Sequence, residues 1–309
     1  MNRTILELVR KVSHANETFS IIYSILSDLK AKKNRRLDDE TYFKKRYRSY
    51  VGKDLILDNP QTFNEKLLWL QIHDHNPLYT KLADKYLVKK NVADTIGEKY
   101  VTPLIGVWNS ADEIPFEKLP NEYVLKCNHD CGSVFIKRSG DTVNEKKIRK
   151  KFNKALKRNY YDVGRVWSYK NIKPLVFCEE LISTKDGKVP KDYKIFCFDG
   201  EPKFAFVASN RGEDTKFDFY DMNWNRIPVK QHYPNSKLDI PKPEQFNEMV
   251  ECARKLSKNI PQVRVDFYID ANGNVIFGEM TFCHFSGKEP FEPEEYDSLF
   301  GKYIKLPKI

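Results

Sequence analysis

The chain has 309 residues, 40% of them hydrophobic and 31% charged, with a formal net charge of +10. That length suits two domains or one domain in several lobes, and the lack of an eighteen-residue apolar run argues against a membrane-spanning helix. The six cysteines are scattered without paired spacing, so they read as reduced thiols in a cytosolic protein rather than a disulfide framework.

Residues 1–50 carry twelve Lys or Arg against six acids, densest in "KAKKNRR" (30–36) and "KKRYR" (44–48). The apolar residues of 5–29 recur at helical spacing, so this segment is expected to dock on the body, pair with a partner, or lie on the inner face of a membrane. No nucleic-acid-binding signature accompanies the charge. "NPQTFNEKLLWLQIHD" (59–74) predicts a helix opened by a capping box, Thr62 with Glu65. Residues 76–97 predict a second helix closed by Gly97. Strands are expected over 100–108, 122–129 and 134–138, the last two separated by "DCGS", then basic helix over 142–170. "PLVFCEELI" (174–182) reads as an apolar strand that breaks into acids. "DYKIFCF" and "KFAFVAS" form a hairpin across Asp199-Gly200, and a helix over 243–260 precedes a second hairpin, "RVDFYIDANGNVIFGEMTF" (264–282), turned at Asn272-Gly273. Antiparallel hairpins mixed with helices make this an α+β chain.

The second hairpin places one acid on each arm, Asp266 and Glu279. Cross-strand neighbours come within about 5 Å, and Thr281 shares the face of Glu279 by strand alternation. Two close carboxylates repel, and a hard divalent cation such as Mg²⁺, shared with phosphate, relieves that. A solvent-facing pair, or an acid bonded to Arg264, is the plainer alternative. In "YVLKCNHDCGSVFIK", Lys126 precedes a loop in which Gly132 lets backbone N–H groups approach an anion, and Lys137 follows on the next strand. A surface hairpin with snorkelling lysines would look the same. Glu179 and Glu180 end an apolar strand, where a nucleoside could be held or where acids are merely solvated. Cys127, His129 and Cys131 lack a fourth zinc ligand. Trp167 and Tyr169 are candidates to cover a ligand.

Taken in order, "LADKYLVKK", "YVLKCNHDCGSVFIK", "FCEELI", "DYKIFCFDGEPKFAFVASNR" and "RVDFY…GNVIFGEMTF…SG" resemble the ATP-grasp superfamily, and within it the TupA-like branch associated with bacterial capsule and surface-polysaccharide gene clusters. The resemblance runs from about Thr62 to the C-terminus. It implies two α+β lobes clamping ATP, with an N-terminal helical region over 1–75, a small lobe over 76–178 and a large lobe over 179–309. It implies ATP contacts from Lys85, Lys126, Gly132, Ser133, Lys137, Glu179 and Glu180, and magnesium ligands in Asp266, Glu279 and Thr281, the last standing where many relatives place Asn. Arg264 and Lys194 become candidate catalytic cations, with Arg211, His284, Ser286 and Gly287 as candidate substrate contacts. The expected activity is an ATP- and Mg²⁺-dependent carboxylate–amine ligation through an acyl phosphate, acting on a glycan or small-molecule acid and an amine. A glycosyltransferase using a sugar nucleotide, and a non-catalytic membrane-apposed scaffold, are the rival readings. The acceptor and the oligomeric state stay open.

Overall fold

A computed structural model describes residues 35–210 and 214–308. The helical pattern at 5–29, most of the basic run at 30–36, and Arg211 lie outside the described residues. The first described helix, α1 (Asp39–Val51), starts where the Asp38 carboxylate accepts from Thr41 N, and ends at Gly52 with φ 82°. It buries Tyr42, Phe43 and Tyr47 and leaves Lys44, Lys45 and Arg48 exposed.

Helix α2 (Phe63–His73) opens with the expected capping box: Thr62 Oγ1 accepts from Glu65 N, and Glu65 Oε2 accepts from Thr62 N. The helix expected over 76–97 is two. α3 (Pro77–Ala83) and α4 (Leu87–Ile96) are separated because Asp84 Oδ1 takes the N–H groups of Tyr86 and Leu87 at 2.8 and 3.0 Å. A carboxylate that satisfies those donors starts a new helix instead of continuing the old one.

Two antiparallel sheets follow. The smaller has the order β1-β4-β2-β3, from β1 (Leu104–Trp108), β2 (Tyr123–Cys127), β3 (Val134–Lys137) and β4 (Val176–Glu179). Tyr123, Leu125, Cys127, Val176 and Cys178 point to one face and form a second core with Ile148, Phe152 and Ala155 of α5 (Glu145–Leu156). The expected helical stretch 142–170 is thus α5 followed by a single turn, α6 (Tyr161–Gly164), and a 3₁₀ turn at Trp167–Tyr169.

The larger sheet runs β10-β9-β5-β6-β7-β8, from β5 (Asp192–Phe198), β6 (Glu201–Ser209), β7 (Lys216–Asp221), β8 (Arg226–Ile227), β9 (Val263–Ile269) and β10 (Val275–Thr281). Asp199 (φ 51°) and Gly200 (φ 84°) make the tight turn between β5 and β6 that their sequence calls for. The turn after β9 is longer than expected. Five residues, 270–274, span it, and the Asp270 carboxylate accepts from Asn272 N and Asn274 N. Ile195, Val207 and Val265 face α7 (Phe246–Leu256). Phe196 and Phe204 face the other way, onto Phe63 of α2, at ring centroid distances of 5.9 and 6.5 Å. Strand alternation puts Asp192 and Lys194 on the same face as Phe196. One end of this face is therefore apolar and covered by α2, while the other is charged and faces the smaller sheet.

The last helix, α8 (Glu295–Gly301), ties back to α2. Asp297 accepts from Asn64 N (3.0 Å) and Nδ2 (3.1 Å) while only 5% exposed. Burial pushes its carboxyl up to about 6, and Glu65 and Glu294 add to this. The unfolded chain ionises near 4, so this group's stabilisation is full at low pH and is lost as pH rises toward and through about 6. Asp297→Asn is expected to raise unfolding free energy at pH 7 by ~1–2 kcal/mol and to flatten this segment of the pH profile. Urea midpoints of variant and wild type between pH 4 and 8 check it, and an equal loss at every pH would contradict it.

Candidate active site

A cleft of about 230 Å³ separates the two sheets. The smaller sheet contributes Lys126, Val134, Phe177 and Glu179, and the larger contributes Lys194, Tyr268, Phe277 and Glu279. Lys85, Lys89, Val101, Thr102 and the loop Asp130–Gly132 complete the wall.

On the larger sheet the register brings Glu279 directly opposite Asp266 and Thr281 opposite Arg264. Simple hairpin counting would not do this. Val275 pairs Ile269 and Phe277 pairs Phe267, a register in which Glu279 would oppose Val265 and share its face, away from Asp266. A bulge between Phe277 and Glu279 shifts the register by one residue. Gly278 sits in it, and a Cβ there would meet the Tyr268 ring at 2.9 Å and Asp266 O at 3.1 Å.

Asp266 is fully buried. Arg264 grips it in a two-pronged contact, Nε to Oδ1 and NH2 to Oδ2, both 2.7 Å, and NH2 also reaches Glu279 Oε1 at 3.2 Å. Lys194 donates to Asp266 Oδ2 and lies 3.6 Å from Asp192 Oδ2. Lys85 Nζ lies 3.6 Å from Glu279 Oε2 and donates to Asp130 O at 2.9 Å. Thr281 Oγ1 donates to Glu279 Oε1 at 3.4 Å. Burial opposes the charge of Arg264, but the Asp266 carboxylate outweighs it and raises the guanidinium further. For Lys85 too, burial works against the charge, and Cys131, Glu279 and Asp130 together hold it above the ordinary range.

On the smaller sheet, Glu179 is 4% exposed and shared between two ammonium groups: Lys126 donates to Oε1 and Lys89 to Oε2, the latter at 2.7 Å. Burial would raise this carboxyl; Lys126 and Lys89 override it and hold it low. Lys89 also donates to Thr102 O at 3.0 Å. The placement of Lys85 depends on a buried hub. Asp84 Oδ2 accepts from Asn128 Nδ2 at 2.8 Å, and Lys85 N donates to Asn128 O at 3.1 Å. Asn128 in turn accepts from Leu175 N and donates to Lys173 O. The break between α3 and α4 is thus locked to the end of β2. In the loop that follows, Gly132 takes φ 124°, a conformation that favours glycine, and Ser133 N and Oγ are turned back onto the Asp130 carboxylate.

Five expected residues lie elsewhere. Lys137 donates to Asn121 O and Arg138 O. It pairs with Tyr123 whereas Lys126 pairs with Val134, so alternation turns it to the α5 face. Glu180 is exposed, and its N–H is held by Pro103 O. Ser286 and Gly287 fall outside the cleft wall, in a left-handed turn with Phe285 (φ 47°, 54° and 59° for Phe285, Ser286 and Gly287) packed against Gly164 and Leu68. His284 is 1% exposed and both its nitrogens are engaged: Nδ1 with Arg264 NH1 at 2.7 Å, and Nε2 with Gln231 Oε1 at 2.8 Å. An arginine can only donate, so Nδ1 accepts and Nε2 carries the proton. His284 therefore positions Arg264 from behind. Trp167 stacks on His75 at 4.9 Å, whereas Tyr169 sits beside Lys85, 5.9 Å from ring centroid to Nζ. The sequence reading missed Asp84, Lys89, Asn128 and the Gly278 bulge. Lys89 stands four residues after Lys85, a spacing that could have drawn attention to it.

The chain matches the TupA-like ATP-grasp family over residues 65–305, and it belongs to that family. The fold is accordingly an α+β ATP-grasp fold, as the ordered motifs implied. No curated protein matches the chain in sequence. Among solved structures, it is similar to a biotin carboxylase–β,γ-ATP complex from Campylobacter jejuni, at 15% identity and a TM-score of 0.41, covering 74% of this chain and 47% of that one. It is also similar to the ATP-grasp ligase PsnB complexed with minimal precursor, at 12% identity and a TM-score of 0.38, covering 70% and 59%. A purK N5-carboxyaminoimidazole ribonucleotide synthetase bound to ADP matches at 12% identity and a TM-score of 0.40, covering 72% and 52%. The chain thus spans roughly half of the length of these structures. No helix among the described residues is long and apolar enough to cross a membrane.

Two outcomes follow from this geometry. Burial, reinforced by Arg264 and Lys194, pushes the His284 imidazole well below its usual range. The unfolded chain takes up that proton near 6.5, so this contribution to stability is lost as pH falls below about 6.5. Nitrogen-15 NMR should find the neutral Nε2–H tautomer down to pH 5, and a titration near 6.5 would contradict the assignment. Gly278→Ala should weaken Mg²⁺–nucleotide binding by about tenfold or more while the protein stays folded; calorimetric titration with unchanged affinity would refute the bulge's role.

Proposed function

We propose that this chain is an ATP- and Mg²⁺-dependent carboxylate–amine ligase of the cytoplasm that modifies a surface-polysaccharide precursor, joining an amino acid or small amine to a uronic acid. The observation that carries the reading is the facing pair Asp266 and Glu279, of which Asp266 is buried and Glu279 lines the cleft together with Lys126 of the smaller sheet, Lys85 and Lys89.

The residues fit the nucleotide and its metal. Asp266 and Glu279 offer hard oxygens, and two carboxylates completed by phosphate oxygens are a donor set magnesium takes. Magnesium, when bound, neutralises phosphate charge and orients the terminal phosphoryl group. Lys126, Lys85 and Lys89 supply fixed positive charge along the cleft, and Val101, Phe177, Ile182 and Phe277 supply apolar walls for a base. The Asp130–Ser133 loop, with its Gly132 hinge, would fold over the phosphates and exclude water.

The acceptor carboxylate oxygen attacks the terminal phosphorus, ADP leaves, and an acyl phosphate forms. The amine nitrogen then attacks the acyl carbon, phosphate departs, and the ammonium proton passes to solvent or a nearby base. Arg264 and Lys194 would supply the positive charge that offsets negative charge developing on the transferring group and on the acyl oxygen. His284 keeps Arg264 aimed. Lys194 donates to the Asp266 carboxylate and would hold that ligand in place while offering its positive charge to the reacting acid.

Incubated with ATP, Mg²⁺ and a panel of uronic acids and amines, the protein should release ADP and phosphate in equal amounts. Asp266→Asn and Glu279→Gln should each lower turnover roughly 10²-fold or more, and Lys126→Met should raise the KM for ATP. Full turnover in either carboxylate variant would remove the metal assignment. Thermal stabilisation by UDP- or GDP-sugars and not by ATP would replace the ligase with a sugar-nucleotide transferase.

A further inference from the structure

Residues 137–158 hold ten Lys or Arg against two acids, a net +8 where the whole chain carries +10. Helix α5 gathers most of this. Ile148, Phe152 and Ala155 are buried in the second core, while Lys146, Lys147, Lys150, Lys151 and Lys154, with Lys157 and Arg158 just beyond, are exposed. Two of the basic residues are used in holding the lobe together. Arg149 donates to the carbonyls of Ala111, Asp112 and Ile114, and Lys151 donates to Val134 O at 2.7 Å. Lys146, Lys147, Lys150 and Lys157 form no ion pair among the described residues.

A solvated helix face normally alternates charge, because opposite charges at i,i+4 stabilise it and like charges repel. Here Lys146–Lys150, Lys147–Lys151 and Lys150–Lys154 are like-charged i,i+4 pairs, and Glu145 is the only acid in the helix. The face is thus self-repelling until an anion covers it. It is also close to the cleft: Lys151 reaches Val134, a cleft residue, and His129 Nε2 bonds Ala155 O at 3.2 Å. The helix backs the loop that borders the nucleotide site.

We propose that the outer face of α5 is a docking surface for a polycarboxylate chain, the acidic polymer whose carboxylates the cleft activates. The surface stands on its own geometry; the identity of its occupant rests on the ligase reading. A helix of this length presents ammonium groups about every 6 Å along about 18 Å, which matches a chain charged at each repeat rather than a single anion. The face is lysine-rich and has no exposed aromatic ring, so it lacks the stacking platforms of a single-strand nucleic-acid site. No large exposed hydrophobic lies between 139 and 162, so nothing there would insert into a bilayer. Docking there would raise the local concentration of acceptor carboxylates beside the cleft and let successive units react before the polymer departs.

The test uses the full chain without nucleotide and fluorescein-labelled polygalacturonate, read by anisotropy. Wild type should bind, with affinity falling steeply between about 50 and 200 mM salt. Lys146→Glu/Lys150→Glu/Lys157→Glu should weaken binding by about tenfold or more, leaving melting temperature and the thermal shift with ATP and Mg²⁺ unchanged. The corresponding triple Arg variant should retain binding, and the triple Gln variant, which covers misfolding of the charge reversal, should lose part of it. Unchanged binding in the Glu and Gln variants overturns the proposal. So does preferential binding of wild type to duplex DNA or to phosphatidylglycerol vesicles at matched charge. If the polymer binds but no acid releases ADP, the docking surface stands and the ligase reading falls; if acids release ADP but the polymer does not bind, the reverse holds.

Discussion

A slip of one residue in one strand decides where the charges of this molecule go. Side chains on a strand alternate with period two, so a register shift of one moves a residue to the opposite face. The bulge at Gly278 does this to the end of β10 and swings Glu279 onto the face of Asp266, Lys194 and Arg264. Bulges concentrate beside functional sites because they re-aim a side chain without rebuilding the sheet. Here a Cβ would crowd the Tyr268 ring and Asp266 O, so any side chain would have to push the two strands out of this register. Once the two carboxylates share a face, their surroundings are constrained in turn. A buried carboxylate must be paired, and Asp266 takes Arg264 and Lys194, while Glu279 takes part of Arg264 and the more distant Lys85.

The cations have to be held too, and each is held differently. Arg264 is braced by a neutral histidine, which can accept its N–H without adding a competing charge. Lys85 owes its place to the interruption of a helix. Had 76–97 run on as one helix, Lys85 would lie on its surface with no fixed relation to β2. Asp84 breaks the helix and binds Asn128 in one step, so the lysine before α4 and the loop after β2 move as a unit. Lys126 and Lys89 are joined through Glu179, whose two oxygens serve one each. Every lysine facing the cleft is thus anchored by an acid or a carbonyl, and none depends on solvent to fix its direction.

Much of this was legible in the sequence. The capping box at Thr62 and Glu65, the Asp199-Gly200 turn, and the run of strands around Lys126 and Glu179 follow from local chemistry acting over a few residues. So does the α+β class. What local patterns could not supply was parity. Lys137 and Lys126 look alike in "YVLKCNHDCGSVFIK", yet the pairing of Tyr123 with Lys137 and of Lys126 with Val134 sends them to opposite faces. The approach of Glu279 to Asp266 was expected from a tight turn at Asn272-Gly273. It is instead produced by a five-residue loop together with a bulge. His284 reads as a polar residue beside a site, and only its burial and its two partners identify it as a support for Arg264. β7 pairs along its whole length with β6, and the alternation of Lys216, Phe217, Asp218 and Phe219 is a signal from which that strand could have been read.

The same accounting of charge separates the cleft from the outer face of α5. In the cleft, every positive side chain is matched at close range, so the resting site is near neutrality and can take up a polyanion only if cations arrive with it or if acids give up their partners. That is a discriminating arrangement, since an anion without a metal would have to separate Lys194 from Asp266 and Lys126 from Glu179 with nothing to replace them. On the outer face of α5, positive charge is concentrated and carries almost no acid of its own. Such a face attracts at long range and selects weakly. A steering surface beside a neutralised, exacting cleft is a division of labour that suits a long acidic substrate: capture by charge density outside, commitment by metal and geometry within.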